Sequence, residues 1–345
     1  MIKNGKHYRA RAPLRIGLAG GGTDVDPYAS LKGGAVFNTT INRYAYCTVV
    51  PTDDHMVSVH SVDYGKYEAH IDDDPLPLDG NMDLAKVVSN YFIGEGYSEI
   101  SDGFKMYLQS EAPPGSGLGG SSTVIVSIIE AFCKWLDIRM GSYKKAKLAY
   151  RLEREDIGLK GGKQDQYAAV FGGFNFMKFD SHGVDVNRIS IDSDVINELQ
   201  YRSVLCYTGR PRESAKLIES QVDSFNKGQN EESLDRTKDL AYTMVDAMER
   251  GDITSVGETL DQSWKYKKQF SSKITNPQID RLYQIAKDNG AIGGKVSGAG
   301  GGGFMYFICD YKSKYAVSRA LQMAGAKVTD FMFESQGVTS WSYTK

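Results

Sequence analysis

The segment Pro113–Thr123, with the sequence PPGSGLGGSST, decides the fold of this chain. It contains four glycines and four hydroxyl side chains, and it lies between a predicted strand over 103–109 and a predicted apolar helix over 121–136. Glycines allow the backbone to approach a ligand closely, and successive N–H groups can bind an anion. The N-terminus of the following helix adds a partial positive charge. The segment is therefore predicted to bind phosphate groups, because a helix cap alone needs far fewer glycines and hydroxyls.

Three common phosphate-binding motifs do not account for this loop. No lysine follows the glycines, so the P-loop pattern GxxxxGK[ST] is absent. Gly115, Gly117 and Gly120 fit the spacing of the dinucleotide fingerprint GxGxxG, but a second predicted helix over 143–156 follows where that fold requires a strand. The HRD and DFG motifs of protein kinases are also absent. The loop is expected to belong to a different class of phosphate-binding protein.

Two further glycine-rich segments accompany it. In Ala12–Asp24, APLRIGLAGGGTD, a predicted strand that carries Arg15 opens into three consecutive glycines. In Lys295–Gly303, KVSGAGGGG, five of the last six residues are glycine, and strands are predicted on both sides. A hairpin needs only one or two glycines. Both segments are therefore predicted to lie against a ligand or against another loop.

The order of the predicted elements favours an α+β fold. Strands are predicted over 8–18 and 35–50 and again over 173–179, the region 214–268 is mostly helical, and a last strand is predicted over 328–334. Strands and helices do not alternate regularly, which argues against a doubly wound parallel sheet. The 345 residues suffice for two lobes, predicted as residues 1–195 and 196–345, although no proline-rich or serine-rich linker marks the boundary.

Composition excludes several classes of function. The formal net charge is −2 and there is no basic run, so we expect no nucleic-acid partner. No uncharged apolar stretch reaches membrane-spanning length, and the first residues lack the apolar core of a signal peptide. The four cysteines lie far apart among apolar residues and are expected to be free, buried thiols. These features indicate a cytoplasmic protein that is not bound to a membrane.

Taken together, the three glycine-rich segments resemble those of the GHMP kinases, a family that includes galactokinase, homoserine kinase, mevalonate kinase and phosphomevalonate kinase. The segment from Pro113 is similar to the family signature PxxxGLGSSAA, with Gly120 in place of the first serine and small hydroxyl residues in place of the alanines. The segments from Ala12 and Lys295 resemble the opening motif and the C-terminal glycine loop. The resemblance implies an ATP-dependent kinase with a two-lobed α+β fold and its ATP site in the cleft between the lobes.

The resemblance also implies roles for individual residues. Asp165 would accept the proton of the attacking hydroxyl, and Arg15 would lie beside it and stabilise negative charge during transfer. Ser121 and Glu153 would hold Mg²⁺, which prefers oxygen ligands and bridges the ATP phosphates. Both carboxylates are able to face the phosphate loop, because Glu153 ends one predicted helix and Asp165 begins the next. The expected ATP contacts are Pro114, Gly115, Ser116, Gly117, Leu118, Gly119, Gly120, Ser121 and Ser122.

The segment GGGTD at 20–24 bears on the substrate. Galactokinases carry GEHTD at this point, and the loss of the acidic residue and histidine disfavours galactose. The GGGTD form is similar to the branch of the family that phosphorylates heptose 7-phosphate or L-fucose. A phosphorylated sugar needs cationic contacts, which Arg210, Arg212 or Lys163 would supply. The expected substrate contacts are Gly20, Gly21, Gly22, Thr23, Asp24, Gly300, Gly301, Arg210 and Arg212.

Within that branch we favour a sugar phosphate as the substrate. The acceptor would be D-glycero-D-manno-heptose 7-phosphate, phosphorylated at the anomeric hydroxyl to the 1,7-bisphosphate for the synthesis of nucleotide-activated heptose and surface polysaccharide. Alternatives stay open: an L-fucokinase or another GHMP kinase acting on a small molecule, a sugar sensor of the same fold without turnover, and an NAD-dependent oxidoreductase that uses the glycine loops.

Overall fold

The computed structural model describes residues 5–73, 75–209 and 214–344 of the chain. Within these residues the strands form one sheet of eight and one sheet of four. The large sheet contains β1 (Lys6–Ala19), β2 (Gly34–Pro51), β3 (Met56–Ser61), β4 (Gly65–His70), β5 (Phe104–Ser110), β6 (Phe174–Phe179), β7 (Val184–Arg188) and β12 (Thr339–Thr344). The small sheet contains β8 (Ser203–Tyr207), β9 (Ala291–Val296), β10 (Phe304–Cys309) and β11 (Lys327–Val328).

The helices of the described residues form two groups along the chain. The helices before residue 172 are α1 (Tyr28–Lys32), α2 (Asp83–Gly94), α3 (Gly120–Trp135), α4 (Ser142–Tyr150) and α5 (Gln164–Phe171), with a π-helical segment (Arg151–Asp156) that continues α4. Those that follow are α6 (Ser193–Arg202), α7 (Ser214–Asn226), α8 (Glu231–Glu249), α9 (Ile253–Lys267), α10 (Pro277–Asp288) and α11 (Lys314–Met323). The predicted α+β fold is confirmed.

The long strand β2 organises the large sheet. Its first third pairs with β6 and its last third with β5, while β1 pairs antiparallel along most of its length. The order is β12-β1-β2-β5-β3-β4, and β3 and β5 are the parallel neighbours among the described strands. Register shifts near Pro13 and Gly17 interrupt the β1–β2 ladder. Such irregularities bend a strand, and here they lie where β1 approaches the phosphate loop.

Apolar side chains of β1 contribute to two separate cores. Ala10 and Ala12 belong to the core under α2–α5, whereas Leu14, Ile16 and Leu18 belong to the core between the two sheets. The first core contains stacked aromatic rings, with 4.8 Å between the ring centroids of Phe92 and Phe132. A third core lies between the small sheet and α9–α11. β1 is thus held from both sides, which gives the residues it carries a rigid support.

The C-terminal part of the chain differs from the prediction. The strand predicted over 328–334 is wrong: the structure has the two-residue β11 and an isolated bridge between Ile41 and Phe333. The chain then returns to the large sheet, where β12 pairs with β1 from Lys6 to Arg11. α6 was not predicted, and it spans the expected boundary at residue 195. The division into 1–195 and 196–345 stays a prediction. β12 lies in the predicted second lobe but pairs with β1 of the first.

Candidate active site

A cleft of about 470 Å³ is lined by residues of all three glycine-rich segments. Residues 113–117 and 119–121 line one wall, and Gly21, Gly22 and Asp24 line another. Gly298 and Ala299 come from the loop between β9 and β10. A cleft of this size fits a small ligand. The structure therefore brings together segments that lie far apart in the sequence.

The phosphate loop has the backbone that its glycines predict. Gly115, Gly117 and Gly119 all have positive φ, and Gly119 precedes the first residue of α3. Because only glycine adopts these angles readily, the loop can turn its N–H groups toward an anion at the helix N-terminus. The side chains of two predicted ATP contacts face the interior, since Leu118 is 1% exposed and Ser122 is fully buried.

A buried carboxylate lies directly behind this loop. Glu153 is fully buried in the π-helical segment, and its Oε1 accepts a hydrogen bond of 2.7 Å from Ser121 Oγ. Its Oε2 accepts hydrogen bonds of 2.6 Å from Ser122 Oγ and from Gln166 Nε2. Arg154 Nη1 lies 3.4 Å from Glu153 Oε1. The predicted pair of Ser121 and Glu153 is therefore in contact, and its oxygens lie at the start of α3.

Asp165 and Arg15 form an ion pair in the lining of the cleft. Asp165 is the second residue of α5, and its Oδ1 lies 2.6 Å from Arg15 Nη2 and 2.7 Å from Arg15 Nε. Arg15 Nη1 also donates to the carbonyl of Gly117 at 2.7 Å. A Cβ atom added to Gly119 would lie 3.3 Å from Asp165 Cγ. The phosphate loop therefore passes close to this carboxylate, and glycine at 119 leaves room for it.

Some residues of the GGGTD segment at 20–24 attach the loop to β2, and others line the cleft. Thr23 is fully buried, and its hydroxyl bonds to backbone atoms of Gly20 and Ala35. A Cβ atom on Gly20 would lie 1.9 Å from the Ala35 carbonyl oxygen. These two residues therefore hold the loop to β2 and do not line the cleft.

Asp24 faces the cleft although it is only 2% exposed. Its Oδ1 accepts a hydrogen bond from the backbone N–H of Gly22, and its Oδ2 accepts one from that of Gln164. Each oxygen therefore has one backbone donor, and a carboxylate oxygen can accept a second hydrogen bond. Asp24 is oriented to accept hydrogen bonds from a ligand in the cleft.

The loop after β9 meets the phosphate loop directly. Phe304 N–H donates to the Ser116 carbonyl at 2.9 Å, and a Cβ atom on Gly303 would lie 2.2 Å from the same oxygen. Gly300 and Gly301, predicted substrate contacts, pack against Ile274 and Leu217 and do not line the cleft. The glycines that follow Ala299 serve close packing between loops.

The cleft residues that the sequence analysis did not assign to the site include Lys267, Lys295 and Gln164. Lys295 is 2% exposed, and its Nζ lies 3.5 Å from the Leu18 carbonyl oxygen. Burial lowers the pKa of its ammonium to about 7, the charge of Arg15 adds to this effect, and Asp24 opposes it. Their positions in the sequence were the available signal, because Lys295 begins the third glycine-rich segment and Gln164 directly precedes Asp165.

The expected cations for a substrate phosphate are not among the cleft residues described. Arg210 and Arg212 lie outside the described residues. Lys163 forms an ion pair of 2.9 Å with Asp26 and does not line the cleft. Within the described part of the chain, no group of three or more His, Cys, Asp or Glu side chains could hold a metal ion. Among the same residues, no helix is long and apolar enough to cross a membrane.

Comparison with known proteins identifies the family. Residues 83–173 match the GHMP kinases N terminal domain, and residues 244–327 match the GHMP kinases C terminal domain. The chain belongs to the GHMP kinases. It is therefore a phosphotransferase that uses ATP as the phosphate donor, and the predicted membership of this family is confirmed.

This GHMP kinase has full-length relatives. It is 40% identical to the D-glycero-alpha-D-manno-heptose 7-phosphate kinase of Campylobacter jejuni, over 97% of this chain and 99% of the relative. The crystal structure of a D-glycero-D-manno-heptose 1-phosphate kinase from Bacteroides thetaiotaomicron has a TM-score of 0.81 and 36% identity, covering 97% of this chain and 98% of that one. The L-fucokinase/L-fucose-1-P guanylyltransferase of Bacteroides fragilis is 26% identical over 86% of this chain but only 34% of its own length.

Proposed function

We propose that this GHMP kinase transfers the γ-phosphoryl group of MgATP to the anomeric hydroxyl of D-glycero-D-manno-heptose 7-phosphate. The observation that carries the proposal is the ion pair of Asp165 and Arg15, which lies where the phosphate loop meets the loop of Asp24. The product, the 1,7-bisphosphate, would supply the synthesis of nucleotide-activated heptose for surface polysaccharide. We place the reaction in the cytoplasm.

Asp165 acts as the proton acceptor. Both contacts from Arg15 go to Oδ1, so Oδ2 is the oxygen placed to receive the proton of the attacking hydroxyl. The hydroxyl oxygen then bonds to the γ-phosphorus, the bond to the β,γ-bridging oxygen breaks, and ADP leaves. A positioned base contributes on the order of 10²–10⁴ in rate. Arg15 stabilises the negative charge that spreads over the γ-phosphoryl oxygens during transfer.

Ser121 and Glu153 are the residues that would hold Mg²⁺. Their oxygens are hard ligands, and they lie together at the start of α3. A catalytic Mg²⁺ usually takes only one or two protein ligands, because substrate phosphates and water supply the others, so these two residues would suffice. The ion would neutralise charge on the phosphates. Gln166 and Ser122 fix the carboxylate through its other oxygen.

The sugar would lie between Asp165 and the GGGTD loop. Asp24 has acceptor capacity toward the cleft, and the backbone of Gly21 and Gly22 lines the same wall. Arg210 and Arg212 stay candidates for the substrate phosphate by their position in the sequence. The cleft lining also contains Lys267 and Lys295, and their amino groups, when protonated, would attract an anionic acceptor.

The choice of heptose 7-phosphate rests on the relative from Campylobacter jejuni, which is 40% identical over nearly all of its length. The name of the structure from Bacteroides thetaiotaomicron gives a heptose 1-phosphate kinase. These names place the existing phosphate at opposite ends of the sugar. An enzyme that phosphorylates the anomeric hydroxyl requires that position to be unoccupied, so the two acceptors can be distinguished directly.

The test is ADP release by the purified protein with MgATP. The acceptors are heptose 7-phosphate, heptose 1-phosphate, L-fucose, mannose, galactose and mevalonate, and the product is examined by phosphorus NMR. We expect turnover with heptose 7-phosphate and a new signal for an anomeric phosphate. Turnover with heptose 1-phosphate alone would overturn the position of transfer, and turnover with L-fucose alone would overturn the substrate.

Asp165→Asn provides the matched variant, because asparagine preserves the shape but is a poor proton acceptor. We expect kcat to fall by about 10²–10⁴, while ATP still binds. Asp223→Asn, an exposed aspartate on α7, is the control and should keep wild-type turnover. An Asp165→Asn enzyme with near-normal kcat would remove Asp165 from the role of base.

A further inference from the structure

The side chain of Gln164 lies in the cleft beside the proposed base. Gln164 is the first residue of α5, directly before Asp165, and it is 8% exposed. Its backbone N–H donates to Asp24 Oδ2 at 3.2 Å. The residue is thus fixed between two groups with proposed roles, the base and the acidic residue of the sugar loop.

The amide oxygen of Gln164 is buried without a donor. Within the described residues, Gln164 Oε1 has no hydrogen-bond partner. Buried side-chain acceptors nearly always have one, because leaving an acceptor desolvated and unsatisfied is costly. Rotation about the last side-chain torsion exchanges the amide oxygen and nitrogen, so the group can present its oxygen to a ligand from either side.

Two glycines leave open space around this amide. A Cβ atom on Gly17 would lie 3.7 Å from Gln164 Oε1. One on Gly21 would lie 3.9 Å from Gln164 Nε2 and 3.8 Å from Lys267 Nζ. These are ordinary van der Waals distances, and neither glycine has a left-handed φ. The protein itself therefore does not require glycine at Gly21, and a methyl group there would occupy the space beside the Gln164 amide and the Lys267 ammonium.

We propose that Gln164 accepts a hydrogen bond from the sugar hydroxyl next to the one that is phosphorylated. This inference rests on the proposed function and extends it to one named contact. The anomeric carbon has two ring neighbours: the ring oxygen, which has no proton to donate, and the carbon that carries the 2-hydroxyl. With the anomeric hydroxyl at Asp165, the 2-hydroxyl is the donor that can reach the preceding residue.

Such a contact makes Gln164 a specificity residue. A site built to bind a substrate hydroxyl discriminates strongly against an analogue that lacks it, because the buried protein group then stays unsatisfied. The contact would also fix the rotation of the sugar ring and so the direction from which the anomeric oxygen attacks. Loss of the amide should therefore relax selectivity at position 2 and not only slow the reaction.

The test compares wild type and Gln164→Met, two side chains of similar length, on heptose 7-phosphate and on its 2-deoxy analogue. We expect wild type to prefer the parent sugar by about tenfold or more in kcat/KM. For Gln164→Met we expect kcat/KM on the parent to fall about tenfold and the preference to shrink to within about twofold. Gln284→Met, which replaces an exposed glutamine on α10, should keep both the wild-type activity and the preference.

The result separates this contact from a merely structural role. If Gln164→Met only disturbs Asp165, it will slow both sugars equally and keep the preference, which would overturn the inference. A wild-type enzyme with no preference for the parent sugar would also overturn it. Turnover of heptose 7-phosphate by wild type tests the proposed function separately. If wild type instead prefers L-fucose, the same comparison with 2-deoxy-L-fucose decides the role of Gln164.

Discussion

Replacing Lys295 with methionine should remove a pH-dependent cost of folding. Lys295 is 2% exposed, and burial together with the charge of Arg15 lowers its pKa from 10.5 to about 7. In the unfolded chain the group returns to its ordinary pKa. Because the folded value lies below the unfolded value, the unfolded chain holds more protons between about pH 7 and pH 10.5, and the wild-type free energy of unfolding rises with pH across that window.

The size of the effect follows from the two pKa values. A tenfold change in a protonation equilibrium corresponds to about 1.4 kcal/mol. The buried charge therefore costs roughly 5 kcal/mol below about pH 6.5, and this cost falls to about 1 kcal/mol near pH 9.5. Wild type should thus gain about 3 kcal/mol of stability relative to Lys295→Met between these two pH values.

Urea denaturation followed by tryptophan fluorescence measures this difference. The buffer must contain no nucleotide or phosphate, because an anion beside Lys295 would favour its protonated form. Lys227→Met, which removes a lysine from an exposed position, is the control, and it should follow wild type at both pH values. An equal stability difference between Lys295→Met and wild type at both pH values, within about 0.5 kcal/mol, would refute the reasoning.

Three further outcomes are expected. Gly21→Ala should fold normally and raise KM for the sugar about tenfold, because the added methyl group enters the cleft. KM for ATP should not change. An unchanged KM for the sugar would show that the sugar binds elsewhere. Gly20→Ala should instead lower the unfolding midpoint, since its Cβ would lie 1.9 Å from a carbonyl oxygen, and normal stability would contradict this. Glu153→Gln should raise the Mg²⁺ concentration for half-maximal activity about tenfold or more, and an unchanged Mg²⁺ titration would exclude Glu153 from the metal site.

The sequence predicts the local features of this site well. The Pro113–Thr123 segment has the composition of a phosphate loop, and in the structure three of its four glycines have the positive φ angles that such a loop uses. The meeting of Arg15 with Asp165 followed from the family resemblance, because 150 residues separate them and no local pattern joins them. This long-range pair is set by tertiary packing, which places α5 against β1.

Other features depend on tertiary contacts that the sequence does not display. β12 has the composition of an ordinary polar strand and is defined only by its pairing with β1. The glycines at 20, 21 and 22 look alike in the sequence. In the structure, Gly20 packs against Ala35, where a side chain would clash, whereas Gly21 lines the cleft. Lys295 resembles a surface lysine until the fold buries it.

Backbone hydrogen bonds join the phosphate loop to both sheets. The N–H of Phe304, the first residue of β10, donates to the Ser116 carbonyl, and that of Arg15 on β1 donates to the Leu118 carbonyl, at 2.9 and 3.1 Å. β10 belongs to the small sheet and β1 to the large one. The loop therefore cannot shift against either sheet without breaking a backbone hydrogen bond, and a displacement of one sheet against the other would be transmitted to it.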